Sequence, residues 1–598
     1  MKADDRNALG RSGWVLAILL ALLVFAYPLL LASRIPLLDP DEGLHAAIAQ
    51  EMVNGGDWVV PKFLGHPFFD KPILYFWAEA VSLSLFGMSE AAVRLPGLLF
   101  GLLAMAATAL AGWRMFGRTA GLVSALFYGA MVLPVALAQA AAHDVALVPF
   151  TTLAILMFWE ADRAQSRRAT IGCILAVGLL LGLSILTKGL VGVALVGIAY
   201  GGYLLLTQRL KADVCRRGAI ALAIGAAIAS TWYIAMELRN PGYLQYYFID
   251  RHLLGFTTAT QSHGHMACWY YLPLLLGGGL PWIIYLPVVI YDQRIKYKQR
   301  VTTESPPGAT AGLSGSVPGH SNSAGESPQW SNDYLDSTHR PLVLLGCWIV
   351  GCTLFLSLSH SKLVTYLWPV FPAVAILAAV AWARLLDGTL SPGAKRLLAK
   401  IFYSSCLGGP LVMPAALLVV QRQFDVRLSA PVWAAVAIVS LAAWIPFGFW
   451  IARRCRATLL SAVAVTACQF VFVMTAVLPQ VAGERSTRDL AAYLRQNGPL
   501  PSRVLMTDER LGSIIFYLGR ETPADMPREP VQSIPLEDML DPDIADVEAL
   551  VVISERQVPR ADEHDIDLSG IPFNRVGRYR LYRPATFVAK QETVAEWR

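Results

Sequence analysis

Apolar runs of about 20 residues, long enough to cross a bilayer as helices, recur along the chain as far as residue 482. About thirteen such segments are expected. They begin near Gly13, Ala91, Ala120, Asp144, Thr170, Gly189, Ala219, Tyr270, Pro341, Leu363, Ile401, Pro431 and Thr458. Only Thr187-Lys188 divides the fifth from the sixth. The first run, Gly13–Ala32, follows Lys2, Arg6 and Arg11 and has no small-residue cleavage site, so it reads as an uncleaved helix. Residues 35–90 form a long first connection. Within it Leu44–Val53 and Tyr75–Phe86 are expected to be amphipathic helices lying along the membrane surface. Residues 236–269 form a second large connection, with Arg251, His252, His263 and His265. Residues 301–340, rich in Ser, Gly and Pro, cannot bury a core and read as a disordered loop.

The pattern changes after residue 482. Residues 483–598 are polar, with a helical stretch at Leu490–Gln496. Strands are expected at Arg503–Met506, Ile514–Tyr517, Ala549–Ile553 and Tyr579–Tyr582. The expected fold class is an α-helical polytopic membrane protein, residues 1–482, with juxtamembrane helices and a small C-terminal α/β domain, residues 483–598.

Composition agrees with a chain solvated largely by lipid. Of 598 residues 55% are hydrophobic and 15% charged, against about 25% charged in an average soluble domain. The net charge of +6 matters less than its placement. Arg114/Arg118, Arg163/Arg167/Arg168, Arg209/Lys211/Arg216/Arg217, Arg294/Lys296/Lys298/Arg300, Arg384/Lys395/Arg396/Lys400 and Arg453/Arg454/Arg456 occupy alternate connections. The positive-inside rule puts these and the N-terminus in the cytoplasm, and the connections at 35–90, 236–269 and 483–598 outside. Such clusters also meet anionic lipid headgroups. They are a topology signal rather than a nucleic-acid one, and no nucleic-acid partner is expected. The eight cysteines form no CxxC pair and read as small membrane-core residues or free thiols.

The outer connections hold the candidate chemistry. Asp39-Pro40-Asp41-Glu42 follows the first span. Its plain reading is a solvated turn in which Asp39 or Asp41 caps the following helix; its functional reading is a general base or metal ligand. Phe69-Asp70-Lys71-Pro72 lies on the same side. Lys71 is placed either to snorkel or to meet a lipid phosphate as a point charge. Lys188 interrupts an apolar stretch, and His143-Asp144 opens one, where ionisable residues are usually functional. Ser359-His360-Ser361-Lys362 and Tyr366 complete a polar patch. Asp, Lys, Arg and His gathered on one face point toward phosphate handling.

An ordered series runs along these connections: Asp41-Glu42, Glu51-Met52, Gly56-Asp57-Trp58, Asp70-Lys71-Pro72, Phe86-Gly87 and Arg94-Leu95-Pro96. It continues with His143-Asp144, Thr187-Lys188-Gly189, Tyr246-Tyr247-Phe248, Arg251-His252, Trp269-Tyr270-Tyr271, Leu280-Pro281-Trp282 and Lys362 to Tyr366. From Leu38 to Pro372 this resembles the polyprenyl-phosphate-dependent membrane glycosyltransferases of GT-C fold. These include the protein O-mannosyltransferase-like families and, nearest, the lipid A aminoarabinose transferases. Two positions depart from the pattern. Asp70 stands where those families usually carry Glu, and Leu253-Leu254-Gly255 after His252 lacks the usual Arg, leaving Arg251 as the nearest guanidinium.

The resemblance implies an inverting transfer of a sugar, with 4-amino-4-deoxy-arabinose a candidate, from a polyprenyl-phosphate-linked donor to an envelope glycolipid such as lipid A. A protein hydroxyl is the alternative acceptor. Asp41 would take the acceptor proton, with Glu42 next to it and Asp144 orienting the acceptor or a sugar hydroxyl. Lys71 and Arg251 would bind the donor phosphate, joined by Lys188, Lys362 and Tyr366. The family also admits one divalent ion (Zn, Mg or Mn) between Asp70 and His252, although two ligands alone do not define a metal site. The implied location is the bacterial inner membrane. A polytopic lipid or solute transporter is the rival class. It would place its charges near the bilayer midplane and often in repeats, neither of which the sequence shows.

Overall fold

The computed structural model describes residues 35–583 except 140, 256–265, 305–338, 425–426, 484–485, 498–502, 508–511, 520–530, 537–548, 556, 560–567 and 569–570, together with the helical positions Val15 and Leu19. Apart from Val15 and Leu19, the expected first span lies outside the described residues, as do His263, His265 and most of the 301–340 connection.

Nine described helices are long and apolar enough to cross a membrane: Glu90–Phe116, Asp144–Arg163, Arg167–Lys188, Ala212–Arg239, Arg340–Leu358, Val364–Leu386, Pro392–Gln423, Ala430–Ile451 and Cys455–Gly483. Two further candidates are bent rather than straight. Arg118–Tyr128 and Val132–Ala138 meet at 62°, and Cys268–Gly278 and Ile283–Gln299 at 97°. Val191–Leu206 is apolar but only 16 residues long. Among the described residues the expected spans thus recur as helices, two of them bent and one short. The 97° bend has a local cause. Gly277-Gly278-Gly279-Leu280-Pro281 removes side-chain support and a backbone donor where a helix would have to continue.

Side-chain caps fix two helix starts: Ser89 accepts from the Ala92 amide at 3.2 Å and Ser166 from the Ala169 amide at 3.2 Å. The Asp144–Arg163 and Val364–Leu386 helices are mostly buried and form the centre of the bundle. Pro392–Gln423 and Ala430–Ile451 keep most of their surface exposed. One continuous apolar core joins Tyr128, Trp159, Trp282, Trp348, Trp368 and Trp382 across the central helices.

Residues 35–89 fold over one end of the bundle. They comprise the Asp41–Gly55 helix, a hairpin pairing Lys62–Phe63 with His66–Pro67, and the Leu74–Phe86 helix. The two helices share a buried core with Trp232, Tyr233 and Tyr247 of the bundle.

The last part of the chain is a five-stranded sheet in the order Val531–Ile534, Arg503–Thr507, Ala549–Ser554, Tyr579–Tyr582, Asn574–Val576. The first three strands are parallel, and the last two join antiparallel. The helix Arg488–Gln496 matches expectation. The expected strand Ile514–Tyr517 is instead part of a helix, Gly512–Gly519. Ile514, Phe516, Tyr517 and Leu518 are all buried, so this short apolar run has no strand or helix period of its own, and packing decides its conformation.

Candidate functional site

A cavity of about 140 Å³ is built from four separate stretches of chain. Asp70 and Lys71 enter from the loop before the Leu74–Phe86 helix. Lys188 is the last residue of its helix. Arg251 and His252 belong to a π-helical stretch, Tyr246–Leu254, a rare geometry that often marks functional sites. Ser359, Ser361 and Tyr366 come from the break before the Val364–Leu386 span. Val191, Phe355 and Leu356 form an apolar wall.

The charges are arranged in pairs with one cation left over. Arg251 Nη2 donates to Asp70 Oδ2 at 2.7 Å, and the Tyr246 hydroxyl donates to Asp70 Oδ1 at 2.7 Å. Burial first, and then the bond to Asp70, push the Tyr246 phenol up to about 12, so it stays a donor at neutral pH. Lys188 Nζ is bonded to the buried Asp144 carboxylate and sits 3.7 Å from the centre of the Tyr366 ring. Lys71, half-buried, makes no ion pair among the described residues. Burial holds His252 below its ordinary range, with the Lys71 and Lys188 charges adding to the shift. Its Nδ1 lies 2.9 Å from the Tyr247 carbonyl. The close seat of this ring requires Gly189: with φ +66, a Cβ there would stand 2.4 Å from His252 Nε2.

Asp70 and His252 therefore share the cavity, but Asp70 already carries two donors. Among the described residues no group of three His, Cys, Asp or Glu is placed to hold a metal. The pair fits an ion only if a bound phosphate and water complete the coordination.

The remaining candidates stand apart. Asp41 is exposed in the first turn of its helix and does not line the cavity. Neither Asp39 nor Asp41 caps that helix, since Pro40 occupies the cap position without a side-chain bond. Glu42 is buried at 3% exposure in a fork with Arg94, whose Nε and Nη2 lie 2.9 and 2.8 Å from its two oxygens. Lys362 is buried, with its Nζ on the Ser359 carbonyl, and is not in the lining. Sequence reasoning did not foresee Tyr246 as the second partner of Asp70. It also missed a buried aromatic cluster in which the His45 and His143 rings lie 4.4 Å apart against Tyr75 and Phe76.

The sheet region bears directly on the helix that carries Asp41. Ser513 donates from its amide to Asp39 Oδ1 at 3.0 Å and is also bonded through its hydroxyl to Asp39 Oδ2. The Leu37 amide donates to the Tyr517 hydroxyl at 2.8 Å, and Gln50 Nε2 to the Phe516 carbonyl at 3.3 Å. The backbones touch at Gly43 and Gly512. A Cβ on Gly43 would come within 2.2 Å of the Ser513 amide nitrogen, and one on Gly512 within 2.1 Å of that of Leu44.

Comparison with known proteins agrees with this architecture. Residues 70–280 match the family model described as dolichyl-phosphate-mannose-protein mannosyltransferase. Two curated relatives are both named undecaprenyl phosphate-alpha-4-amino-4-deoxy-L-arabinose arabinosyl transferase. The one from Aeromonas hydrophila is 29% identical over 61% of this chain and 59% of its own length. The one from Aeromonas salmonicida is 30% identical over 62% and 60%. The chain thus spans about three fifths of the length of the curated relatives it matches. The crystal structure of ArnT from Cupriavidus metallidurans bound to undecaprenyl phosphate aligns with a TM-score of 0.69 at 24% identity, covering 95% of this chain and 98% of that one. The fold is shared with that protein, and the chain is an integral membrane protein of the same architecture.

Proposed function

We propose that this protein is an inverting glycosyltransferase that moves a sugar from a polyprenyl-phosphate donor to an envelope glycolipid such as lipid A. The names of the relatives favour 4-amino-4-deoxy-L-arabinose as the sugar. In this reading the cavity opens on the periplasmic side of the bacterial inner membrane, opposite the basic connections.

One observation carries the proposal. The cavity gathers three cations, Lys71, Lys188 and Arg251, while its carboxylates balance only two, because Asp144 is paired with Lys188 and Asp70 with Arg251. The surplus charge on Lys71 suits a phosphate, and the wall of Val191, Phe355 and Leu356 suits the lipid tail attached to it. Leu253 and Leu358, exposed at 56% and 73%, continue apolar surface beside it.

The acceptor hydroxyl attacks the anomeric carbon and the bond from that carbon to the phosphate oxygen breaks. Polyprenyl phosphate leaves with the electron pair, and the hydroxyl proton passes to Asp41, which stands outside the cavity lining and is reached by the bulky acceptor rather than by the donor phosphate. A single displacement inverts the anomeric configuration. Negative charge grows on the phosphate as the bond breaks, so Lys71, Lys188 and Arg251 bind the transition state more tightly than the ground state. Asp144 and the Tyr366 ring hold Lys188 in place, and Asp70 and Tyr246 hold Arg251. Lys362 supports the Ser359 turn, and Glu42 anchors the loop through Arg94. A divalent ion between Asp70 and His252 is a separate proposal, tested by chelation and readdition of Zn, Mg or Mn.

The test of function uses purified protein with polyprenyl-phosphate aminoarabinose and lipid A. Sugar-modified lipid A and free polyprenyl phosphate should appear in equal amounts, with inverted anomeric configuration by NMR. Failure of folded, donor-binding protein to transfer from any polyprenyl-phosphate sugar refutes the reading.

A further inference from the structure

A second cavity, of about 270 Å³, lies at the other end of the bundle. The helix Asp144–Arg163 connects the two. Asp144 holds Lys188 beside the first cavity, and Asp162 lines the second. About 18 residues of helix separate them, which is about 27 Å at 1.5 Å per residue. That is close to the roughly 30 Å thickness of a bilayer's hydrocarbon core. The second cavity therefore sits at the opposite membrane face, among the connections rich in Arg and Lys.

Its lining is cationic. Arg209, Lys211 and Arg340 surround a single carboxylate, Asp162. Asp162 is already engaged: Arg209 Nη1 lies 2.9 Å from its Oδ2, and Tyr203 donates to the same oxygen at 3.4 Å. Lys211 makes no ion pair among the described residues. Two helices begin at the rim. Lys211 is the cap position of the Ala212–Arg239 helix and supplies no side-chain cap, and Arg340 opens the Arg340–Leu358 span. The positive ends of these helix dipoles face the same space. The segment that ends in this cavity carries Leu205, Leu206 and Leu210, exposed at 62%, 69% and 50%. A cationic pocket that adjoins leucines facing lipid matches a ligand with an anionic head and apolar tails.

We infer that this pocket binds the phosphate of an anionic glycerophospholipid from the membrane leaflet opposite the first cavity, with the phosphate among Lys211, Arg209 and Arg340 and the acyl chains along Leu205, Leu206 and Leu210. The site is independent of the transfer reaction. A soluble phosphate offers the same head chemistry without the tails, and the experiment separates the two.

Delipidated full-length protein in detergent would be titrated with cardiolipin, phosphatidylglycerol, phosphatidylcholine or inorganic phosphate, and bound lipid counted by native mass spectrometry. The wild type should retain one cardiolipin or phosphatidylglycerol at a concentration at least tenfold below that needed for phosphatidylcholine. Inorganic phosphate should displace it only at large excess. Each cation lost should weaken retention roughly fivefold, so that Lys211→Gln with Arg340→Gln costs about 25-fold. Lys395→Gln, a basic residue outside the cavity, should change nothing. Equal retention of phosphatidylcholine, or unchanged retention in the double variant with a normal elution profile, overturns the inference. Displacement by equimolar inorganic phosphate overturns the lipid as ligand.

Discussion

The fork between Glu42 and Arg94 offers a decisive perturbation, because the sequence presents Glu42 as a catalytic candidate and the structure presents it as an anchor. Arg94 is 7% exposed and uses its guanidinium fully. It bonds both Glu42 oxygens, the Ile35 carbonyl at 2.7 Å and the Pro36 carbonyl at 2.9 Å. Glu42 in turn accepts from the Leu38 amide at 2.9 Å and the Ala141 amide at 3.2 Å. Removing either partner leaves a buried charge without its counterion, which costs about 3–5 kcal/mol, whereas replacing both by apolar groups of similar volume is often neutral. Arg94→Met and Glu42→Leu should therefore each destabilise strongly. The double variant should recover much of the loss, giving a coupling of about 2 kcal/mol or more. The assay is loss of transfer activity after graded heating, with initial activity measured on the unheated fraction that elutes as folded protein. If Glu42 is an anchor, folded Glu42→Gln retains transfer within about tenfold. Loss of about 100- to 10,000-fold, the range for removing a general base, in a stable Glu42→Gln protein would show that Glu42 does chemistry and that this reasoning is wrong.

Asp41→Asn should lower transfer by about 100- to 10,000-fold while donor binding holds, read by single-turnover kinetics beside a binding titration; near-normal transfer passes the base role to another group. Lys71→Ala should lower turnover by about 100-fold or more, as loss of an oxyanion donor does, and Lys71→Arg should restore part of it; unchanged donor use in both variants removes the phosphate clamp. Gly43→Ala should cost about 1–3 kcal/mol by overpacking and expose the sheet region to proteolysis, since the groups it would strike include backbone; wild-type protease resistance contradicts the tight contact. Stability should fall as pH drops below about 6.5. Burial lowers His45 and His252 in the folded protein, so the unfolded chain takes protons that the folded one refuses. Replacing both by Gln or Asn should flatten that slope in thermal inactivation measured between pH 5 and 7.5.

Much of this architecture was legible where one residue type can do only one thing. Thr187-Lys188 reads as a break, and the helix does end at Lys188. Asp144 opens its span as expected. Arg209 and Lys211, from one of the basic connections, line the cavity at the end away from Lys188. What escaped depends on partners remote in sequence. Nothing near Glu42 says that Arg94, 52 positions later, will enclose it. Nothing near Asp70 says that Tyr246 and Arg251 will occupy its two oxygens. The run Ile514–Tyr517 has the composition of a strand, and only its contact with the Asp41–Gly55 helix decides that it coils. The 97° bend was written in three glycines and a proline, but overall hydropathy hid it by averaging across the break.

The bond from the Leu37 amide to the Tyr517 hydroxyl joins positions 480 apart. During synthesis the loop that carries Asp41 leaves the ribosome long before its partner exists. At about 5–20 residues per second the delay is on the order of half a minute to a minute and a half. Through that interval Asp39 has no Ser513 to hold it, and the backbone at Gly43 faces a gap that only Gly512 can close. A chain truncated before the sheet region would therefore insert its helices yet leave its first loop unbraced. Bracing of the first loop is in this way a late step of assembly, open until residues 512–517 have been made.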